Sequence, residues 1–567
     1  MAEWCSVGCI LCISCIKLIE HRDFAIDNIV AYKAFGAKHN IVLNDSLTQD
    51  SLLAQIDTNK VSLDISRSSK WAVLHNAFGI SSKDESKLFE LEPVVETVLT
   101  AEIYEEAKDK LMTPTLNILS ETLPDFITFN SSIVDQMQWE RVADVELTDG
   151  TSEAECNFFA LVNEFCCNAI LSPIMGAQFI ESNQLFASDL ATFNSRYWAL
   201  ALGLPRLSPM PGLPGAALAQ KRLLSNLTQF FRELTNPPVR RMPDDDESVS
   251  GEETDADIPT PITKLNELLN KQDVSFSARA GVALQVIHGI AAEVVPLVFW
   301  TLLHVYSACT TSNSESKEGK DPIEQLKQES KGWAKAYQPP SIHPLFPAPP
   351  EIRFDGPGKA VKMSSMPYLS SCVYEARRLY STSVATYKVK KAIVLQEASI
   401  RPNQKDAWEL DAGSYIDIGF SQSLINSSAS IFPEPTVYKP DRFLGKPNVA
   451  SIVSPSDKTE PIKTALIKSI VTGIIQLWDI APAPKKSFFE HMQEAREEAQ
   501  IGAAALSGEQ KAARSSQVRE KQGKEKKTAK WVLPAAVEGS FVKVPKGDIR
   551  VRIRRREGLP RKPEGKK

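Results

Sequence analysis

Apolar and polar positions along this chain recur mostly at helical intervals. Residues 96–110 set Val98, Leu99, Ile103 and Ala107 on one stripe, which predicts an amphipathic helix. A second, more uniformly apolar helix is expected over 154–170. Residues 278–308 form the longest helical run, apolar nearly all round and broken only by Pro296, as expected of a helix at the centre of a large helical domain. Gln285, His288 and Glu293 interrupt it too often for a membrane span. Residues 202–214 are proline-broken and read as an irregular loop. Short strands are expected at 392–395 and 414–418, a further helix at 465–480, and a strand with one wet face at 549–554, where apolar and basic residues alternate.

These patterns divide the chain into four parts. Residues 1–35 contain a short apolar segment, and 36–484 form one large, mainly α domain with small β-sheets. That domain is interrupted by an acidic loop at 244–257 with eight acids. A charged insertion comes next at 485–530, then a terminal strand and basic tail at 531–567.

Composition narrows the class. With 567 residues, 43% apolar and 24% charged, the chain is ordinary globular protein, which excludes wholesale disorder and fibrous repeats. The net charge of −5 conceals +13 over residues 511–567 and −18 before them. The body should repel nucleic acid, so no nucleic-acid partner is expected, and a basic tail is ordinarily just solvated. Nine cysteines are too few for a disulfide scaffold, and none lies beyond Cys372. The uncharged run 4–16 is shorter than the ~20 residues of a spanning helix. It reads either as an interfacial attachment, with acylated cysteines, or as a buried terminus. Cys5, Cys9 and Cys12 have the spacing of an iron–sulfur motif, but an apolar run with no strand before it argues against that use.

Three places carry candidate chemistry. Glu293 sits in the apolar helix beside Pro296, so it either lines a wetted pocket or is satisfied by a backbone group or an arginine. Glu375 and Arg378 lie three apart on one helix face and want a third partner. Arg442, in Pro440-Asp-Arg-Phe443, could supply it through a bidentate guanidinium contact.

In order and spacing, the long helix, E-x-x-R, short strands and P-x-R-F resemble cytochrome P450. Glu293-Val-Val-Pro296-Leu-Val-Phe299-Trp300 is similar to the N-T-x-P-x-x-F-W pattern of the branch with sterol 7α-hydroxylases, prostacyclin synthase and many fungal enzymes. The resemblance implies a mainly α, P450-like single domain. Glu375, Arg378 and Arg442 would form the structural triad behind a haem, and Glu293 would lie in the oxygen-side pocket, with Val294 where threonine is usual. The 202–214 loop would lie at the substrate entrance. It further implies monooxygenation of a hydrophobic small molecule, such as a secondary metabolite or sterol-like compound, with electrons from NADPH through a reductase partner. The chain would sit on the cytoplasmic face of the endoplasmic reticulum membrane, or otherwise in the cytoplasm.

The departures are specific. The family's F-x-x-G-x-R-x-C-x-G ligand loop is absent: between Phe443 and Ala465 there is no cysteine, so no metal ligand is assigned. His491 reads as solvated, and Lys458 and Lys463, expected in the shortened loop, would first have to lose a proton to ligate. Two readings result. One is a P450 monooxygenase whose ligand loop is lost in a splice form or a faulty gene model. The alternative is a catalytically inactive P450-like protein acting by ligand or partner binding.

Overall fold

Short caps and prolines mark several helix starts. Ser66 accepts from the Ser69 amide at 3.1 Å ahead of Arg67–Asn76. Thr260 and Asp321 do the same for helices that open on Pro261 and Pro322, where a missing amide hydrogen costs nothing. The computed structural model describes residues 29–561 except 35–36, 43–59, 64–65, 105–109, 149–151, 207, 237–258, 316–320, 341–347, 362–364, 383, 399–404, 420–425, 428, 430, 446–458 and 485–529. The apolar run 4–16, the acidic loop 244–257, nearly all of the 485–530 insertion, Lys458 and His491 therefore lie outside the described residues.

Five helices build the centre of the molecule: α1 (Phe158–Met175), α2 (Leu213–Thr235), α3 (Phe276–Glu315), α4 (Pro367–Tyr380) and α5 (Glu460–Leu477). The 40-residue α3, about 60 Å long, runs through the middle and is buried on nearly every face from 278 to 306. The other four pack against it. Gly281 lets the loop before Glu85–Leu99 approach, since a Cβ there would come within 2.5 Å of the Phe78 carbonyl oxygen.

The sheets are small. One runs Ile29–Ala34, Ala37–Val42, Tyr415–Gly419, Val384–Val389, Val61–Leu63, with only the Ala37–Val42/Tyr415–Gly419 pair parallel. Another sets Arg550–Arg555 between Trp478–Pro482 and Glu153–Asn157. The result is a mainly α domain with small β-sheets, built on one extended core and a second, smaller apolar cluster at the five-stranded sheet.

Three expected elements shift. Residues 154–157 are strand, because they pair with 550–553, and the helix begins at Phe158. The described part of the stripe, 96–104, belongs to a helix that starts at Glu85, carries Pro93 within it and loosens into a π-turn over Thr100–Tyr104, and Ala107 lies outside the described residues. The helix expected over 465–480 opens at Glu460 and gives way to a strand at Trp478. Residues Phe158–Met175 and Phe276–Cys309 are long and apolar enough to cross a membrane, and 72% and 89% of those windows is buried inside the molecule.

Candidate functional site

α3, α4 and α5 meet at Glu293. Its carboxylate receives Arg377 Nη2 of α4 at 2.9 Å on one oxygen and Lys463 Nζ of α5 at 2.7 Å on the other. Arg377 Nη1 continues to Glu460 Oε1 at 2.6 Å, and Glu460 is also held by the hydroxyls of Thr464 (2.7 Å) and Tyr374 (3.2 Å). Glu293, Arg377 and Lys463 are 7%, 1% and 5% exposed, so this part of the network is sealed from water, while the Glu460 side chain is 18% exposed. Burial alone would lower the Arg377 pKa, but the facing carboxylates of Glu293 and Glu460 more than reverse it. Burial likewise pushes Glu460 up, and Arg377 with Thr464 overcomes this, so its carboxyl lies below the ordinary range.

Of the two expectations for Glu293, the geometry is that of a carboxylate satisfied by an arginine, with a lysine added. Lys463 corrects a second expectation. It stands in the first turn of α5 rather than in a loop, because Glu460 and Pro461 open that helix. Val294, beside Glu293, is fully buried and apolar.

One residue along α4, a second cluster forms on a different face of the helix. Arg378 grips Glu375 with Nε at 2.8 Å and Nη2 at 2.9 Å, and Arg442 Nε reaches the same carboxylate at 2.9 Å. Arg378 also donates to the carbonyls of Asn426 and Pro435, and Arg442 to those of Pro433, Glu434 and Val437. The three residues paired from sequence are thus brought together, and they fasten the 426–443 segment to α4.

A third group, which sequence reasoning missed, is the turn 539–543. Trp198 Nε1 donates to the Gly539 carbonyl at 2.9 Å, Thr382 N to Phe541 O at 2.8 Å, and Trp300 Nε1 to Lys543 O at 2.7 Å. The Phe541 ring closes a cage of Phe78, Phe193 and Tyr197 around His288 of α3, with Tyr197 stacked at 4.6 Å. His288 Nε2 has no partner there, and burial pulls the imidazole pKa down to about 3, so it is neutral.

Lys468, further along α5, is fully buried and its Nζ is unpartnered among the described residues. Burial pulls its pKa down to about 8 from 10.5, against an opposing pull from Glu460 and Glu329. Holding that charge costs the native state roughly 3 kcal/mol near neutrality. Lys468→Met should therefore raise the unfolding free energy by roughly 2–3 kcal/mol at pH 7 in urea titrations. The folded amine loses its proton first, so the parent gains stability from pH 8 to 10.5 and the variant's advantage disappears over that window.

Haem, implied by the sequence resemblance, does not fit these residues. The four fully buried cysteines, Cys156, Cys166, Cys167 and Cys372, have thiols pushed well above their ordinary pKa by burial, and Cys309, half-buried, is pushed up to about 12. None presents a thiolate. Cys372, the last in the sequence, turns its sulfur to the Pro440 carbonyl at 3.9 Å. Among the described residues no group of His, Cys, Asp and Glu could hold a metal ion. At Glu293, α3 and α5 are joined side chain to side chain by Lys463 Nζ at 2.7 Å.

The 202–214 loop is a connection between the helix Tyr197–Ala201 and α2, with Gly212 at φ +83° ahead of α2 and Arg196 Nε holding the Pro211 carbonyl at 2.7 Å. No family model and no curated protein matches the chain. Among solved structures, it is similar to a cyanobacterial CYP120A1 with retinoic acid bound. That likeness covers 95% of this chain and 96% of the other, at 13% identity and a TM-score of 0.49.

Proposed function

We propose that this chain is a P450-like protein of monooxygenase ancestry that acts by binding a hydrophobic small molecule or a partner, without oxygen transfer. The observation that carries the reading is Glu293 held between Arg377 and Lys463. Both of its oxygens are taken by cations of this chain rather than turned toward a pocket, and its apolar neighbour Val294 offers no hydroxyl beside it. The absence of any cysteine beyond Cys372 points the same way, because oxygen activation in this family rests on thiolate donation to iron. P450 ancestry draws on the E-x-x-R/P-x-R-F pairing of Glu375, Arg378 and Arg442, on the central α3, and on the small sheets flanking the helices. Under this reading a reductase partner is unnecessary, and any attachment to the cytoplasmic face of the endoplasmic reticulum would serve localisation alone.

The second reading, a working monooxygenase, is favoured by the intact Glu375 triad, which would support a haem-side segment if the ligand loop were restored. One assay separates the two. The purified chain is measured for iron–porphyrin content, for its reduced carbon-monoxide spectrum, and for turnover of hydrophobic substrates with an NADPH-dependent reductase. The expected result is no thiolate-type spectrum and no oxidised product. A thiolate-type spectrum or an oxidised product would overturn the binding reading.

A further inference from the structure

We infer that the chamber between α3 and α5, where a P450-like protein would seat its porphyrin, is filled by this chain's own side chains, and that the Glu293–Arg377–Glu460–Lys463 network ties the three helices together in the cofactor's place. The inference rests on the P450-like reading and goes beyond the loss of a ligand. A missing thiolate alone would leave an empty slot, whereas here the slot itself is gone.

Three observations carry it. The network is electrically complete, with two carboxylates facing two cations, so it needs no counter-charge from a bound group. Buried charges persist only when paired and hydrogen-bonded, and Thr464 and Tyr374 supply further donors to Glu460. Second, the filling continues past the network. Lys463 Nζ lies 5.6 Å from the Phe541 ring centroid, and that ring lies 5.7 Å from the His288 ring, so one unbroken line of side chains runs from α5 back to α3. Third, Phe541 is fixed. Its turn is fastened to Trp198, Trp300, Thr382 and Asn194 through hydrogen bonds of 2.7–3.1 Å. Gly539 permits the turn, since a Cβ there would fall 2.2 Å from the Val542 carbonyl oxygen.

The test uses the full chain and two probes that remove ligation from the question. Iron-free protoporphyrin IX needs no axial ligand, and hemin with excess imidazole receives one from solution. The expected result is that neither gives saturable one-to-one binding in fluorescence or absorbance titrations. Saturable one-to-one uptake of either probe by the unmodified chain overturns the inference. If that uptake comes without a thiolate-type spectrum or turnover, the binding function proposed above still stands, so the two fail separately. A second measurement probes the brace itself, by urea unfolding of Glu293→Gln, Lys463→Met and the double variant. Each single change should lower the midpoint, and the double variant should lie no lower than the weaker single one. Losses that simply add, or singles that leave the midpoint unmoved, would also overturn it.

Discussion

Glu375→Ala should lower the unfolding free energy by about 3–5 kcal/mol, because it strands two buried guanidinium groups at once. Glu375 is fully buried and accepts from Arg378 twice, from Arg442, and from the Lys439 amide at 3.1 Å. The side chains of Arg378 and Arg442 are 2% and 6% exposed, so water cannot take over from the lost carboxylate. Glu375→Gln keeps an acceptor of the same shape and should lose clearly less. The measurement is urea unfolding followed by circular dichroism. A loss under about 1 kcal/mol for the alanine variant, within the range of an exposed ion pair, would mean that the five backbone carbonyls around the two arginines are sufficient partners.

Arg377→Met is expected to cost a similar amount, about 3 kcal/mol or more at pH 7, with a pH dependence that identifies the cause. In the parent chain the Glu460 carboxyl lies below its ordinary value of 4.5, despite burial, largely because Arg377 faces it. A depressed carboxylate contributes stability that is present above the unfolded pKa and is lost as pH falls through the folded one. Without Arg377, burial is opposed only by the Thr464 and Tyr374 hydrogen bonds, and the carboxyl moves upward. The variant then loses stability as pH rises above 4.5. The gap between parent and variant should be widest near pH 7 and close toward pH 4. A gap that stays constant with pH would assign the loss to packing around the arginine stem instead.

The sequence makes some of these features legible and hides others for identifiable reasons. The Glu375/Arg378/Arg442 pairing can be read because opposite charges at helical spacing and a second arginine in a fixed motif need only one geometric step to meet. The central helix can be read because it is apolar on every face. Arg377 is hidden by its neighbour: two adjacent arginines look alike in sequence, and a turn of about 100° per residue sends them to different clusters. Lys463 is misplaced for want of a boundary, although Pro461 at the start of α5 is a signal that would have set it. Glu153–Asn157 has no local mark of a strand, since its identity comes from a partner far along the chain. Nothing near Phe541 in sequence announces that its turn reaches the central helix.

That distant partner bears on how the protein is made. Asp548 caps the first turn of α1 through the Phe159 and Ala160 amides, and Arg552 meets Glu155 across 397 residues of chain. A ribosome adding about 5–20 residues per second reaches Arg552 roughly 20–80 s after Glu155. Throughout that interval α1 lacks its cap and the strand at 153–157 lacks its partner, and the strand at 478–482, made near the end of it, waits for the same one. The strand at 153–157 therefore waits with an open edge through most of the chain's synthesis, an aggregation hazard during translation that equilibrium stability does not report.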